Sequence, residues 1–172
     1  MSDHLERRAV FSADRAYRYL LDIPLEGGLF DVAKPKTACF LLLNPSSADE
    51  QKDDPTVRRC IGYARSWGYQ RLRVLNLYAW RSTDPEALKQ VPDPVGPDND
   101  LHLVQATRDA GVIVCGWGTN ATKEREDEVL TLMRLAGRSL CVLKLTEKTR
   151  QPQHPLYLKA DLKPIPFGGT RG

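Results

Sequence analysis

The chain has 172 residues, of which 41% are hydrophobic and 27% are charged, a composition typical of one globular domain over residues 1–172. No apolar run approaches the roughly 20 residues of a membrane-spanning helix, and the charged start at Met1–Arg8 lacks the apolar stretch of a signal peptide, so a cytoplasmic location is expected. The net charge of +3 is compatible with a polyanionic partner and does not identify one.

The four cysteines are expected in the hydrophobic core. Cys39, Cys115 and Cys141 lie within apolar runs, and Cys60 falls on the apolar stripe of a helical pattern. The lack of any Cys-x-x-Cys pair argues against a zinc site or a redox motif. An iron–sulfur cluster held by dispersed cysteines stays open as an alternative to core packing.

The first half of the chain predicts a ribbon, a strand and a helix in that order. Alternating residues at 8–11 and 17–21 indicate a short antiparallel ribbon. The apolar run Thr37 to Leu43 is typical of a strand that is buried on both faces. An amphipathic helix follows from Pro55 with Asp54 as its N-cap, and Gly68 ends it in the C′ position.

The second half repeats the alternation of strand and helix. The patterns predict strands at Leu72–Tyr78, Gly111–Cys115 and Leu140–Leu145, helices at Asp98–Ala110 and Ala121–Leu135, and a disordered tail at Gly168–Gly172. Strands separated by helices predict an α/β fold of three layers, αβα. In it a central four-stranded parallel sheet carries helices on both faces, and the N-terminal antiparallel ribbon is an addition.

This topology selects the position of a functional site. Open parallel sheets bind ligands outside the carboxyl ends of their strands. Four loops leave those ends in the predicted fold: Asn44–Asp54, Asn76–Asp84, Gly116–Asn120 and Thr146–Tyr157. The same loops are rich in polar residues, so the functional side chains are expected there.

The first loop places Asn44 at a strand end, followed by a proline, a pair that can simply stop the strand and start a turn. Alternatively, the amide of Asn44 orients a water molecule or a substrate. Two serines are candidates for donating to a phosphate and two carboxylates for acting as general base, whereas Asp54 caps the helix. These candidates are Ser46, Ser47, Asp49 and Asp53.

The second loop begins with Asn76, a polar residue inside an otherwise apolar strand. A buried amide needs hydrogen-bond partners, which the neighbouring backbone or the Watson–Crick edge of a base can supply. Tyr78 and Trp80 are candidates for stacking on that base, although aromatic residues at strand ends also serve as lids on the core. Arg81 and Ser82 are candidates for holding phosphates.

The fourth loop contains His154 between two prolines, which restrict the backbone and orient the side chain. This histidine is either structural or catalytic, and Lys148 and Arg150 surround it with positive charge. The third loop, Gly-Trp-Gly at 116–118, allows close backbone approach but matches neither of the common phosphate-binding motifs.

Nearly the whole chain resembles the bacterial and phage family known as domain of unknown function 1643. The resemblance rests on segments spread along the chain, among them 17–20, 43–49, 53–60, 76–85, 93–100 and 154–158. The name of that family states no activity.

The order of motifs at the strand ends is also similar to that of the uracil-DNA glycosylase superfamily. Asn44 and the proline after it match the water-activating motif Gly-Ile-Asn-Pro-Gly, and Asn76 lies where an asparagine reads the flipped pyrimidine. His154 begins a segment that matches the start of the motif His-Pro-Ser-Pro-Leu-Ser. The resemblance implies that Asn44 positions the attacking water and that His154 stabilises the departing base. Tyr157 replaces a serine of the last motif and becomes a candidate for contacting the base.

The resemblance implies a uracil-DNA-glycosylase-like fold and an enzyme that flips a modified or damaged pyrimidine out of DNA, including phage-modified DNA, and excises it by hydrolysing the N-glycosidic bond. It implies no metal or organic cofactor and DNA as the partner. We also expect a monomer that acts away from membranes. Two alternatives stay open: a non-catalytic module that binds nucleic acid or nucleobases, and a hydrolase or transferase acting on free nucleotides.

Overall fold

The computed structural model of the protein describes residues 6–25 and 35–168. Seven strands lie within them: β1 (Arg8–Phe11), β2 (Arg18–Pro24), β3 (Thr37–Leu42), β4 (Arg71–Asn76), β5 (Ala110–Cys115), β6 (Leu140–Val142) and β7 (Ile165–Phe167). The α-helices of this part are α1 (Pro55–Ser66), α2 (Asn99–Ala106) and α3 (Lys123–Leu135), and short 3₁₀ helices cover Pro85–Lys89 and Pro155–Tyr157. The tail predicted to be disordered, 168–172, lies outside the described residues apart from Gly168.

The strands form one mixed sheet in the order β1-β2-β4-β3-β5-β6-β7. Strands β4, β3, β5 and β6 run parallel, which confirms the parallel arrangement predicted for these four segments. The prediction of a four-stranded sheet needs correction, because β2 pairs antiparallel with β4 and makes the N-terminal ribbon a continuation of the sheet. The short strand β7 pairs antiparallel with β6 at the opposite edge. Three residues are too few to show a hydrophobic period, so the sequence did not predict β7.

The sheet has a hydrophobic core on each face. Successive residues of a strand point to opposite faces, so β3 contributes Cys39 and Leu41 to one core and Phe40 to the other. Helix α1 packs on the face of Phe40, whereas α2 and α3 pack on the face of Cys39 and Leu41. Helices therefore cover both faces of the sheet, as the alternation of elements predicted.

Capping residues set the ends of the helices. Asp54 caps α1 by accepting a hydrogen bond from Val57 N at 2.8 Å, and Gly68 follows the helix with a φ of 82°, as predicted. Helix α2 ends at Ala106 rather than at the predicted Ala110, because the chain turns there and Ala110 already opens β5. No helix in the described part of the chain combines the length and the apolar character that crossing a membrane requires.

The cysteines are free thiols, and three of them are buried as predicted, whereas Cys141 in the short strand β6 is only partly buried. Cys39 and Cys115 are buried in the core that α2 and α3 cover, and Cys60 is buried in the core below α1. Burial raises the pKa of Cys39 to about 12, as is typical of a thiol that packs like a small apolar side chain. Because the sheet separates Cys60 from Cys39 and Cys115, the four thiols cannot ligate a common iron–sulfur cluster.

Both edges of the sheet are short and irregular. Strand β1 has four residues, and its register against β2 shifts between Val10 and Phe11. Strand β7 has three residues, and Pro166 stands opposite Cys141 in its pairing with β6.

Candidate functional site

The loops at the carboxyl ends of the parallel strands are joined in pairs. Ser82 N in the second loop donates to Pro45 O in the first at 2.9 Å. Gly118 N in the third loop donates to Pro152 O in the fourth at 2.8 Å. The predicted site is therefore built from two contacting loop pairs.

The side-chain amide of Asn44 fastens the first loop to the second. Its Nδ2 donates to Ser82 O at 2.9 Å and to Pro45 O at 3.1 Å, and Trp80 O lies 3.5 Å away. Three carbonyl oxygens around one end of the amide fix which atom is the nitrogen, because only that atom donates. Within the described residues Oδ1 accepts no hydrogen bond, so it is left as an acceptor for a water molecule.

Asn76 has a buried cation as its partner. The guanidinium of Arg18 in β2 is only 2% exposed, and its Nη2 lies 3.4 Å from Asn76 Oδ1. Its Nη1 donates to Ala48 O in the first loop at 2.9 Å. Burial lowers the pKa of Arg18 to about 10, against the attraction of Asp54, so the guanidinium keeps its charge at neutral pH. The backbone carbonyl of Asn76 accepts from Asn99 Nδ2 at 2.9 Å, which fixes the end of β4.

Arg18 is the residue of this site that the sequence analysis missed. It lies in the predicted ribbon, where a charged residue between two tyrosines is typical of the exposed face of a strand. The signal that could have found it is its place among aromatic and aliphatic residues on both sides, at 17–21. Its burial depends on the first loop closing over β2, which local patterns do not encode.

His154 opens the short 3₁₀ helix of the fourth loop, and its ring orientation is fixed by the backbone there. Nδ1 accepts a hydrogen bond from Leu156 N at 3.2 Å. Burial lowers the pKa of His154, and the attraction of Asp54 opposes this shift only in part. The imidazole is therefore neutral at neutral pH, and it carries its proton on Nε2, because Nδ1 acts as the acceptor. His154 thus offers a fixed Nε2–H donor.

Asp54 links the two halves of the site electrostatically. Its carboxylate accepts from Val57 N at 2.8 Å and from Ala48 N at 3.3 Å, so it fixes both the start of α1 and the first loop. It attracts both Arg18 and His154. The predicted role of Asp54 was the helix cap alone, and the structure adds its electrostatic attraction to a guanidinium and an imidazole.

Glycines in the third loop allow the fourth loop to approach. A Cβ atom on Gly116 would lie 2.9 Å from Pro155 Cδ, closer than real Cβ contacts come. Gly118 has a φ of 76°, and a Cβ there would lie 4.0 Å from His154 Cβ. The close approach anticipated from the Gly-Trp-Gly segment is thus made to the loop that carries His154.

A buried carboxylate cross-links the third and fourth loops to α3. Glu126 Oε1 accepts from Trp117 Nε1 at 3.0 Å and from Gln151 Nε2 at 2.7 Å. Trp117 belongs to the third loop and Gln151 precedes His154 by three residues. This network fixes the backbone of the fourth loop next to His154.

The two carboxylates predicted as general bases are engaged in structural contacts. Asp49 Oδ1 accepts from Gln51 N at 2.8 Å and from Lys52 N at 2.9 Å, and these backbone donors lower the pKa of Asp49. Asp53 forms an ion pair with Arg7. A carboxylate with a lowered pKa is a weaker base, so the geometry favours Asn44 over Asp49 as the group that handles water.

The three aromatic candidates for base contact lie in different environments. Tyr78 is 5% exposed in the core, and its phenolic oxygen accepts from Thr122 N at the start of α3 at 3.0 Å, so its ring is not open to a base. Trp80 is half-buried and packs edge-on against Tyr17 at 5.5 Å between ring centroids. Tyr157 is 82% exposed, with its ring centroid 5.9 Å from that of His154. Tyr157 is therefore the aromatic residue best placed to meet a ligand beside His154.

The serine candidates for phosphate binding differ in availability. Ser82 Oγ donates to Asp84 O at 2.9 Å and accepts from Asp84 N at 3.0 Å, which makes it part of a turn. Ser46 is half-buried and Ser47 is exposed. Their hydroxyl groups form no hydrogen bond with the described residues, so both remain candidates.

The basic candidates also separate into two kinds. Arg81 donates to Arg15 O at 3.2 Å and stacks over the Phe11 ring at 4.7 Å, so it is held by the N-terminal ribbon. Lys148 and Arg150 are exposed in the turn that precedes His154, where Arg150 has a φ of 56°. Only the last two are presented to solvent without a fixed partner among the described residues.

No three His, Cys, Asp or Glu side chains come together as a metal site would require, within residues 6–25 and 35–168. Two surface clefts, of about 830 and 600 Å³, run along α3 and contain none of Asn44, Asn76 and His154.

These observations define a mixed-sheet α/β protein whose strand-end loops hold an amide and an imidazole, and whose strand β2 adds a buried guanidinium that bonds the first loop. The chain belongs to the family described as a protein of unknown function (DUF1643), whose model matches residues 18–156. No curated protein and no solved structure matches the chain.

Proposed function

We propose that the protein is a DNA glycosylase-like enzyme that flips a modified or damaged pyrimidine from DNA and hydrolyses its N-glycosidic bond. The observation that carries the proposal is the fixed Nε2–H donor of His154, which is neutral, partly buried and oriented by Leu156 N. A neutral donor held in place is suited to a leaving group on which negative charge develops.

Each group of the site has a role in this reaction. The bond between the sugar C1′ and the base nitrogen breaks, and its electron pair stays on the base, where His154 Nε2–H stabilises the charge. Asn44 Oδ1 accepts from the water whose oxygen then bonds to C1′, and that water loses a proton to solvent. Asn76 contacts the edge of the base, as the resemblance to uracil-DNA glycosylases implies. Neither Asp49 nor Asp53 is required as a general base in this scheme.

DNA is the proposed substrate because the approach to His154 is aromatic and basic. Tyr157 is exposed beside the imidazole, and Lys148 and Arg150 are exposed in the same loop. An exposed aromatic ring can stack on a base, and cations that contact phosphates make affinity fall with salt. A pocket that served free nucleotides alone would show a much weaker dependence on salt.

The test is base release from uracil-containing and phage-modified DNA, read by mass spectrometry of the free base and by alkali cleavage of the strand. His154→Ala should lower single-turnover release about 10²–10³-fold with DNA affinity nearly unchanged, because the donor acts mainly in the transition state. His102→Ala is the matched control, since that ring stacks on Tyr19 outside the strand-end loops.

Two outcomes would contradict the proposal. If none of these DNAs releases a base and His154→Ala abolishes DNA binding, the protein is a nucleic-acid-binding module. If the wild-type protein binds nucleotides with an affinity that salt leaves unchanged, and DNA not at all, it acts on free nucleotides.

A further inference from the structure

The guanidinium of Arg18 is a buried cation without a counter-ion in contact. Among the described residues no carboxylate lies within 4.0 Å of it, and its Nε is buried without a hydrogen-bond partner. Its contacts are Ala48 O at 2.9 Å and Asn76 Oδ1 at the long distance of 3.4 Å. Burying a charge that is not paired costs free energy, so a fold that keeps one indicates a use for it.

The charged groups around Arg18 do not neutralise it by contact. Asp54 and Asp49 attract it, and Arg81 and Arg7 repel it. Both carboxylates are already bonded to backbone N–H groups, at the start of α1 and in the first loop. The positive charge of Arg18 is therefore still available to a ligand.

The charge of Arg18 acts on the site through the side-chain amide of Asn76. Because Oδ1 faces the guanidinium, the amide orientation is set, and its Nδ2 donates no hydrogen bond to the described residues. A cation on Oδ1 polarises the amide and strengthens the Nδ2–H donors. A ligand with negatively charged oxygen acceptors would therefore accept a stronger hydrogen bond from Nδ2 than it would from an amide without this cation.

We propose that Arg18 is a positioning residue that holds Asn76 as a donor and makes the site select a ligand in its anionic form. This inference rests on the proposed function and specifies the charge state of the base at Asn76. The same chemistry fits a phosphate oxyanion, and the experiment separates the two ligands.

The test measures the affinity of the full chain for free 5-fluorouracil and for uracil by calorimetry, from about pH 7 to pH 9. In that range His154 is neutral, and Arg18, with a pKa of about 10, keeps most of its charge. The fluorinated base ionises at lower pH than uracil, so it supplies the anion where uracil is still neutral. The wild-type protein should bind 5-fluorouracil more tightly as pH rises and should bind uracil with little change.

Arg18→Met should lose this pH dependence, and it should weaken binding of the anion at least about tenfold more than it weakens binding of neutral uracil. Arg18→Lys keeps the charge and should retain part of the preference for the anion. Arg138→Met is the matched control, since this half-buried arginine bonds Thr107 and Val104 between α2 and α3. A merely structural arginine would change thermal stability and leave the pH profile of binding unaltered.

The outcomes separate this inference from the proposed function. If base excision is observed and the wild-type affinity for 5-fluorouracil does not change with pH, the result contradicts the positioning role of Arg18 and supports the proposed glycosylase activity. The same holds if Arg18→Met keeps the wild-type profile. If orthophosphate, and no pyrimidine, binds in an Arg18-dependent way, the site is a phosphate site. If neither pyrimidine binds to the wild-type protein, the inference about Arg18 is contradicted, and base release from DNA decides the proposed enzyme separately. Should Arg18→Met not fold, the pH profile of 5-fluorouracil binding to the wild-type protein and to Arg18→Lys tests the inference.

Discussion

Replacing Asn44 with aspartate exchanges the donor that joins the first and second loops for an acceptor of the same shape. Two hydrogen bonds, at 2.9 Å to Ser82 O and 3.1 Å to Pro45 O, are lost, and a carboxylate oxygen then faces these carbonyl oxygens. Each bond contributes about 1 kcal/mol, and the unpaired, mutually repelling oxygens add to the loss, so we expect a destabilisation of about 2–4 kcal/mol. Asn44→Ala should cost less, about 1–2 kcal/mol, because Asn44 is half-buried and water can reach the carbonyls.

Urea denaturation and thermal melting measure this difference. A protein of this size loses about 2–4 °C of Tm per kcal/mol, so Asn44→Asp should melt roughly 5–15 °C below wild type at neutral pH. The gap to wild type should narrow as pH falls, because a protonated carboxyl can donate again. The folded-state pKa of this aspartate is then raised, and the stability of its protonated form is lost as pH rises through that pKa. If Asn44→Asp matches wild type within about 0.5 kcal/mol at neutral pH, the amide does not fasten the loops and its Oδ1 is not oriented for water.

Two further predictions concern the loop that carries His154. Gly116→Ala should destabilise the protein by about 1–3 kcal/mol and slow base release, because the new methyl would meet the rigid Pro155 ring at 2.9 Å. Gly62→Ala, in an open position of α1, should instead stabilise it by about 0.5–1 kcal/mol, and equal effects of the two substitutions would refute the steric argument. The lowered pKa of His154 makes its contribution to stability complete above the unfolded histidine pKa near 6.5, and that contribution is lost as pH falls through the folded value. Melting curves at a series of pH values should show His154→Gln less sensitive to acid than wild type.

The sequence predicted the parallel strands well because burial on both faces leaves a continuous apolar run. The segment at β3 has that pattern, and the capping residues Asp54 and Gly68 marked the limits of α1. The pairing of β2 with β4 could not be predicted in the same way. An alternating strand is compatible with a separate ribbon or with a place in the sheet, and the choice depends on partners 49 positions away, as between Asp22 and Arg71.

The candidate site shows the same division between local and long-range information. Asn44 and His154 lie in loops that follow parallel strands, a position that topology alone selects, and the structure gives both side chains fixed hydrogen bonds. The burial of Tyr78 depends on Thr122, which lies 44 residues later, and that of Arg18 depends on Ala48. A single sequence shows which residues are polar or aromatic, but it does not show which distant segment covers them.

The irregular edges of the sheet bear on how the protein behaves at high concentration. An exposed edge strand presents unpaired N–H and C=O groups that a second chain can extend into an aggregate. Here β7 has a proline in its middle, which removes a donor, and β1 has a register shift after Val10. With only three and four residues, these strands are poor templates for intermolecular pairing. We therefore expect the folded protein to remain dispersed at concentrations where one with long, flat edges would form fibrils.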